Sequence, residues 1–436
     1  MARTFRTALL MAAALAYAPA APAAESDAVR ARDDRIADLE RKLEVVVDEL
    51  ARVRTQVAVP EVSELKSAYG FGPAASKIYG VERGLSIGGY GEGFYTNFDN
   101  EGDTRSLDTT DMLRLVLYFG YKFTDNIIFN SEIEIEHGDE IFVEFANFDF
   151  KWKDEVNFRA GLLLAPVGFV NEIHEPPFFF GVQRPFTERV IIPSTWRENG
   201  AGIFGSIGET LQYRTYVMTS LDGKDFSASG IRGGRQKGSQ SLSEDFGWVG
   251  RLDWTPDDEW LLGGSLFVGK TGQDQIVDAP GMTTAKLPGS RLTLGEVHAQ
   301  FRRGPFHSRA LFAMSHLANA DDLTLALRGS GDIGSSETIA EEMLGGYVEV
   351  AYDVWELLFG DASRYLAPFL RVEYVDTQYD VPSGFEEDRN KANWIFNPGL
   401  QYKPHPNVVL KMDWRNFQPR SGDRADELSF GFGYAF

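Results

Sequence analysis

The stretch from Asp111 to Glu136, DMLRLVLYFGYKFTDNIIFNSEIEIE, decides the architecture. In its first half Leu113, Leu115, Leu117, Phe119, Tyr121 and Phe123 take every second position, with Arg114, Gly120 and Lys122 among the residues between them. Side chains of an extended chain alternate between two faces, so this half reads as a strand with one greasy and one polar face. In the second half Ile127, Phe129, Ile133 and Ile135 alternate with Asn130, Glu132, Glu134 and Glu136. Thr124-Asp125-Asn126 is short enough to turn the chain straight back, and the two halves predict an antiparallel hairpin.

The same period of two recurs to the last residue. Strands are expected to start near 84, 111, 127, 141, 155, 200, 210, 245, 259, 291, 305, 342, 364, 391, 407 and 426, an even sixteen. Within IFVEFANFDFKW, Ile141–Trp152, the apolar face changes from odd to even positions, which predicts a one-residue bulge; the strands of Leu292 and Phe306 read as irregular. Connections alternate in length. TDN, KD, GET, TPDD, RRGP and KPHPN are short, whereas the stretches near 96–110, 165–199, 221–244, 271–290, 318–341 and 377–390 are mostly long. HGDE and WELLFGDASRYL depart from this rule.

A soluble sandwich has no reason to place its short turns on one rim and long loops on the other, but a barrel in a bacterial outer membrane does. Lipid offers no hydrogen bonds, so a lipid-facing sheet must close without an edge. Trp254, Trp260, Tyr402, Trp414 and Phe436 lie near strand ends, where an interfacial aromatic girdle belongs; a soluble all-β core would place its aromatics centrally. The expected fold is all-β: a 16-stranded antiparallel transmembrane β-barrel over 84–436.

The residues before the barrel fall into three parts. Arg3 and Arg6, the apolar Ala8 to Ala18, and Ala21-Pro22-Ala23-Ala24 make 1–24 a secretory signal peptide. In 25–60, Ile36, Leu39, Leu43, Val46, Leu50, Val53 and Val57 recur at spacings of three and four, the seam of a short coiled coil in the periplasm. Three heptads are marginal alone, so two or three chains meet here, or the helix lies on its own protein. Pro60 ends the segment, and 61–83 reads as a linker.

Composition removes other classes. With 43 Lys+Arg against 64 Asp+Glu the formal net charge is −21, which disfavours nucleic acid as a partner. The absence of cysteine excludes disulfide scaffolds, thiolate metal sites and cysteine nucleophiles. Six histidines make a histidine-built metal centre a poor expectation, and no apolar run is long enough for a membrane helix. No cofactor is called for.

A sixteen-stranded bore is too wide to fill with its own side chains, so selectivity must rest on charge at a constriction. The loop after Leu164 carries Arg184, Arg189 and Arg197 against Glu172, Glu175, Glu188 and Glu198. The inward-facing strand positions add Arg159, Arg214, Arg251, Arg371, Lys411 and Arg415 as candidate pore residues, interleaved with Glu132, Glu134, Asp253, Glu349, Glu373 and Asp413, so that no continuous basic ladder emerges. Glu132, Glu134 and Glu136 share a face that could hold Ca²⁺, although a solvated row is the plainer reading. His174, beside Glu172 and Glu175, reads as a loop-packing or surface residue, and IRGGRQKG with Arg232, Arg235 and Lys237 as an exposed mobile loop. His298, His307 and His316 show no triad spacing.

The signal, the short coiled coil, the sixteen-strand pattern, the terminal Phe436 and above all GLLLAPVGFVNEIHEPPFFFGVQRPFTERVIIPSTWRENGAGIFG, Gly161–Gly205, together resemble the phosphate-selective porin O and P family. The resemblance implies a homotrimeric outer-membrane channel for anions, with lysine and arginine side chains along the pore and loops folded inward, here the loop 165–199. The inward loop of this chain lacks lysine, unlike the family pattern. The expected function is therefore a passive, water-filled, non-enzymatic channel for small hydrophilic solutes, anions such as phosphate among them. Outer-membrane lipid and lipopolysaccharide would be its surroundings. The alternatives are a porin of general or mixed selectivity, a barrel-based enzyme such as a lipid hydrolase, and a structural tether using the coiled coil as a stalk.

Overall fold

The structure is a computed structural model and describes residues 32, 34–48, 65–99, 106–277 and 285–436. The chain divides into two units, Met1–Gln56 and Val57–Phe436. In the first, 34–48 is helical and solvent-exposed throughout, and Ile36, Leu39, Leu43 and Val46 of the expected seam stand open to solvent. The signal 1–24 and the seam residues Leu50, Val53 and Val57 lie outside the described residues.

The second unit begins as β1 (Gly84–Asp99), β2 (Thr109–Lys122), β3 (Ile127–Glu136), β4 (Glu140–Lys151) and β5 (Asn157–Leu164). It continues with β6 (Arg197–Ile207), β7 (Leu211–Thr219), β8 (Phe246–Trp254) and β9 (Trp260–Lys270). A two-stranded ladder of β10 (Ile276–Val277) and β11 (Ala285–Lys286) stands apart inside a loop. Then come β12 (Arg291–Arg303), β13 (Phe306–Leu317), β14 (Glu342–Tyr352), β15 (Tyr365–Asp380), β16 (Ala392–His405), β17 (Val408–Pro419) and β18 (Asp426–Ala435). Without β10 and β11, sixteen strands form one closed antiparallel barrel in which each pairs with its neighbours in the sequence and β1 pairs with β18. Phe436 completes the closure: its amide donates to the Gly89 carbonyl at 2.8 Å and its carbonyl accepts from the Gly89 amide at 3.0 Å. Among the described residues no helix is long and apolar enough to cross a membrane.

The two-residue period settles which side chains face out. Leu115, Leu117, Phe119 and Tyr121 of β2 are exposed on the outer wall, while Arg114 is buried in the bore. On β3, Ile133 faces out, and Glu132 and Glu134 face in at 0% and 1% exposure. Glu132 and Glu134 of the expected row are thus sealed inside the protein rather than solvated, while Glu136 at its end stays partly exposed. The bulge expected in β4 lies opposite β3, where the register steps from Glu132↔Phe145 to Ile133↔Val143 and leaves Glu144 unpaired. The extra residue turns both Glu144 and Phe145 toward the bore. β12 and β13 run in unbroken register, against their expected irregularity. Their pattern is blurred because Leu292, Leu294, Leu311 and Ala313 are apolar and buried on the inner face as well.

That inner apolar face has a physical partner. Val167, Phe169, Val170, Ile191, Ile192 and Trp196 of the inward loop pack against it in one core, joined by Leu221, Ile231, Leu323 and Leu327 from other long loops. One side of the bore is therefore filled by protein. Residues 65–83, read from sequence as a connection, also pack inside: Phe71, Ala74, Ala75 and Ile78 are buried, and Phe71 and Ala74 share a cluster with Tyr90, Tyr118 and Phe145 of the wall. The IRGGRQKG stretch folds inward too, with Ile231 buried and Arg235 Nη1 donating to the Thr195 carbonyl at 2.9 Å, so the expected mobile outer loop is instead a cover on the inward loop.

Candidate functional site

The inward loop runs from Ala165 to Trp196, between β5 and β6. Its ends are pinned by Asn171, whose side chain donates to the carbonyls of Ala165 (2.6 Å) and Trp196 (2.9 Å) and accepts from the Trp196 amide (2.6 Å). Glu188 accepts from the Val170 amide and from the Tyr347 hydroxyl of β14, each at 2.6 Å. Burial raises its carboxyl to about 7, with those two hydrogen bonds opposing the shift.

Between these anchors Pro177-Phe178-Phe179-Phe180-Gly181-Val182 is held by side chains of β16 and β17. Lys403 donates to the Pro177 carbonyl (2.9 Å), Gln401 to that of Phe179 (3.0 Å) and Lys411 to that of Gly181 (2.8 Å). Asp413 accepts from the Val182 amide at 2.6 Å. Pro176–Phe178 form a single 3-10 turn and the residues after it bend, and the wall side chains take up the carbonyls of Pro177, Phe179 and Gly181 along this irregular path. Its rings then divide. Phe178 and Phe180 line a cavity of about 700 Å³ toward the short-turn rim, together with Arg302, His307, Arg309 and Lys403. Phe179 and Val182 line a cavity of about 250 Å³ on the other side, together with Arg184, Arg189 and Arg232. The segment is a septum across the open part of the bore.

Cations border it on both sides. Arg309 lies 4.2 Å from the centroid of the Phe178 ring and Lys411 Nζ lies 3.7 Å from that of Phe179, close enough for cation–π attraction. Among the described residues Arg184, Arg189, Arg232, Arg302, Lys403 and Lys411 have no carboxylate within ion-pair distance. On the long-loop side the cations crowd one another. Burial, then Arg235, Arg189 and Arg184, lower Arg232 to about 8, and burial and Arg415 lower Arg189 below the usual arginine range. An anion is the partner that relieves such crowding.

The nine residues expected from sequence separate into two groups. Arg184, Arg189 and Lys411 border the septum without carboxylate partners, and Arg415 lies beside Arg189, at a further recess, paired with Glu427. The others are held by carboxylates: Arg159 by Asp149 (2.7 Å), Arg197 by Glu144 (3.1 Å), Arg214 by Glu172 (3.0 Å), Arg251 by Asp253 (2.8 Å) and Arg371 by Glu349 (3.6 Å). Arg159 also donates to the Tyr69 carbonyl and so ties the segment 65–83 to the wall. Sequence reading missed Arg302 and Lys403, which lie at strand ends beside short turns, and Arg232, which had been given to an exposed loop. His174 is buried and faces Glu132 and Glu144 rather than its sequence neighbours Glu172 and Glu175. His298 is buried against Asp253 and Glu296, and Ser265 Oγ donates to Glu296 rather than to His298; His307 lines the larger cavity.

No family model matches the chain. An uncharacterized protein of Aquifex aeolicus (strain VF5) is 37% identical over 375 residues, covering 83% of this chain and 82% of that protein. Among solved structures, Salmonella typhi OmpF in complex with daunomycin superposes with a TM-score of 0.53 at 13% identity, over 81% of this chain and 98% of that one. The loop L8 deletion mutant of OmpT, an outer membrane protein of Vibrio cholerae, gives 0.52 at 10% identity, over 81% and 100%. An anion-selective porin from Comamonas acidovorans gives 0.50 at 11% identity, over 81% and 100%. At these identities the likeness is one of fold, and the fold is that of the porins.

Proposed function

The chain belongs to one family with the Aquifex aeolicus protein, and we propose that it forms a passive, water-filled channel for small hydrophilic anions through the bacterial outer membrane. The short turns and the helix of 34–48 then face the periplasm, and the long loops face outward. The observation that carries the reading is the set of carboxylate-free cations on both sides of the septum, from Arg302 and Lys403 through Lys411 to Arg184, Arg189 and Arg232. A protein of formal net charge −21 repels anions at long range, so cations beside the septum with no carboxylate in ion-pair distance, in a cavity that Glu92, Asp111 and Glu136 also line, have a local task. Phosphate is one anion these side chains could pass, and guanidinium groups suit it because they offer paired donors.

The channel works as a homotrimer, and the open seam of Ile36, Leu39, Leu43 and Val46 supports association between copies. Transport down a gradient uses no catalytic residue.

A charge-swap experiment tests the anion preference. Each unit charge within about 5 Å of a permeant ion is worth on the order of 1 kcal/mol or more, so changing Arg184→Glu, Arg189→Glu and Lys411→Gln together lowers the anion-to-cation permeability ratio at least about tenfold. Reversal potentials in planar bilayers, recorded in chloride and then phosphate, give the ratio. An unchanged ratio would remove the septum from the selectivity mechanism.

A further inference from the structure

We propose that Glu132, Glu144 and His174 form a binding site for one divalent transition-metal cation of the zinc class, joining the inward loop to the barrel wall. The three side chains come from β3, from the bulge of β4 and from the inward loop, and their exposures are 0%, 2% and 2%. One ligand atom from each falls in a single group, all within 4.8 Å of one another.

The histidine is preset as a ligand. His174 Nδ1 lies 3.2 Å from the Asn171 carbonyl, which can only accept, so Nδ1 carries the hydrogen and Nε2 is the nitrogen turned toward the carboxylates. Nε2 is 3.3 Å from Glu132 Oε1 and 3.1 Å from Glu144 Oε2. Ligands bound at roughly 2.0–2.2 Å to one ion in tetrahedral or octahedral geometry are roughly 3.0–3.5 Å apart, and both separations fall in that interval.

An independent observation points the same way. Glu144 Oε2 is sealed from solvent and aimed at Nε2, yet among the described residues it has no hydrogen bond of acceptable geometry, and Glu132 Oε2 is also unpartnered. One proton on Nε2 serves only Glu132, whereas an ion between the three groups serves both carboxylates. The outer contacts are those of a built site: the Tyr90 hydroxyl donates to Glu132 Oε1 (3.2 Å), and Arg197 lies 3.1 Å from Glu144 Oε1.

Glu92 and Glu134 are paired with Arg114 and Glu144 with Arg197, whereas Glu132 has no arginine partner among the described residues and faces His174 and the Tyr90 hydroxyl. One imidazole with two carboxylates suits zinc better than calcium or magnesium, which prefer all-oxygen sets.

The test uses the full chain, purified in detergent and also refolded without metal and then supplied with zinc chloride. Elemental analysis is expected to find about one metal per chain, and absorption at the zinc edge to show a nitrogen and oxygen shell at roughly 2.0–2.2 Å. A chelator should lower the melting temperature of the unaltered protein but not of Glu144→Gln or His174→Gln, which keep the heat-modifiable gel migration of a folded barrel. A zinc-treated chain holding less than roughly a tenth of an equivalent, with melting indifferent to zinc and chelator, overturns the proposal, as does metal retained by both variants. The edge spectrum of the unaltered protein decides the matter even if the variants fail to fold.

Discussion

Buried among the apolar side chains of the inward loop, Glu188 has a carboxyl raised to about 7 by that burial. A carboxyl whose folded-state pKa lies above its unfolded value binds its proton more tightly in the folded protein. Its contribution is therefore complete below the unfolded value near 4.5 and is lost as pH rises through about 7, by up to about 3 kcal/mol. Glu188→Gln has no proton to lose. Its amide can accept only one of the Val170 and Tyr347 hydrogen bonds, at a cost of about 1–3 kcal/mol at any pH. The variant is expected to be the less stable at pH 5, with the gap narrowing at pH 8 in guanidinium unfolding midpoints; a gap independent of pH would place the Glu188 titration outside this range. At the same scale the sequence exposed residue types but few partners. Parity alone set Arg251 and Asp253 side by side on one face of β8, whereas only the fold brings Asp149 to Arg159 and Glu172 to Arg214.

The septum depends on its fit to the neighbouring strand. In β18, Phe430 and Phe432 face out, while Gly431 and Gly433 face the loop, and a Cβ on Gly433 would overlap the Pro176 ring. Gly433→Val must then push the start of the septum off the wall without touching the outer face. It is expected to change single-channel conductance while leaving a folded, heat-modifiable barrel; unaltered conductance in a folded variant would mean that the loop position does not set the passage. Strands were legible at this scale because a period of two writes itself into sixteen segments, and even the face change in Ile141–Trp152 announced the bulge that delivers Glu144. The loops were not legible in the same way. Phe178, Phe179 and Phe180 read as generic apolar residues until the wall donors Gln401, Lys403 and Lys411 fix their backbone and send alternate rings to opposite cavities. The inner faces of β12 and β13 looked irregular for the related reason that they are apolar toward the loop core.

For the whole molecule, closure is the property on which the rest depends: β1 pairs with β18, and Phe436 bonds to Gly89. Alternating connection lengths made this closure readable from sequence. The inward loop was expected in the bore, but the rest of its filling was not readable, because 65–83 and the other long loops meet far from their sequence neighbours. The overall charge of −21 and the cationic border of the septum act over different distances, since salt screens the former beyond about 10 Å but not the contact between a permeating ion and a side chain. The most direct measurement is therefore the current through the unmodified protein in a planar bilayer under a potassium chloride gradient. The account predicts stable ohmic steps, grouped in threes for a homotrimer, with a reversal potential on the chloride side of zero. Absence of steps, or a reversal potential on the potassium side, would contradict it.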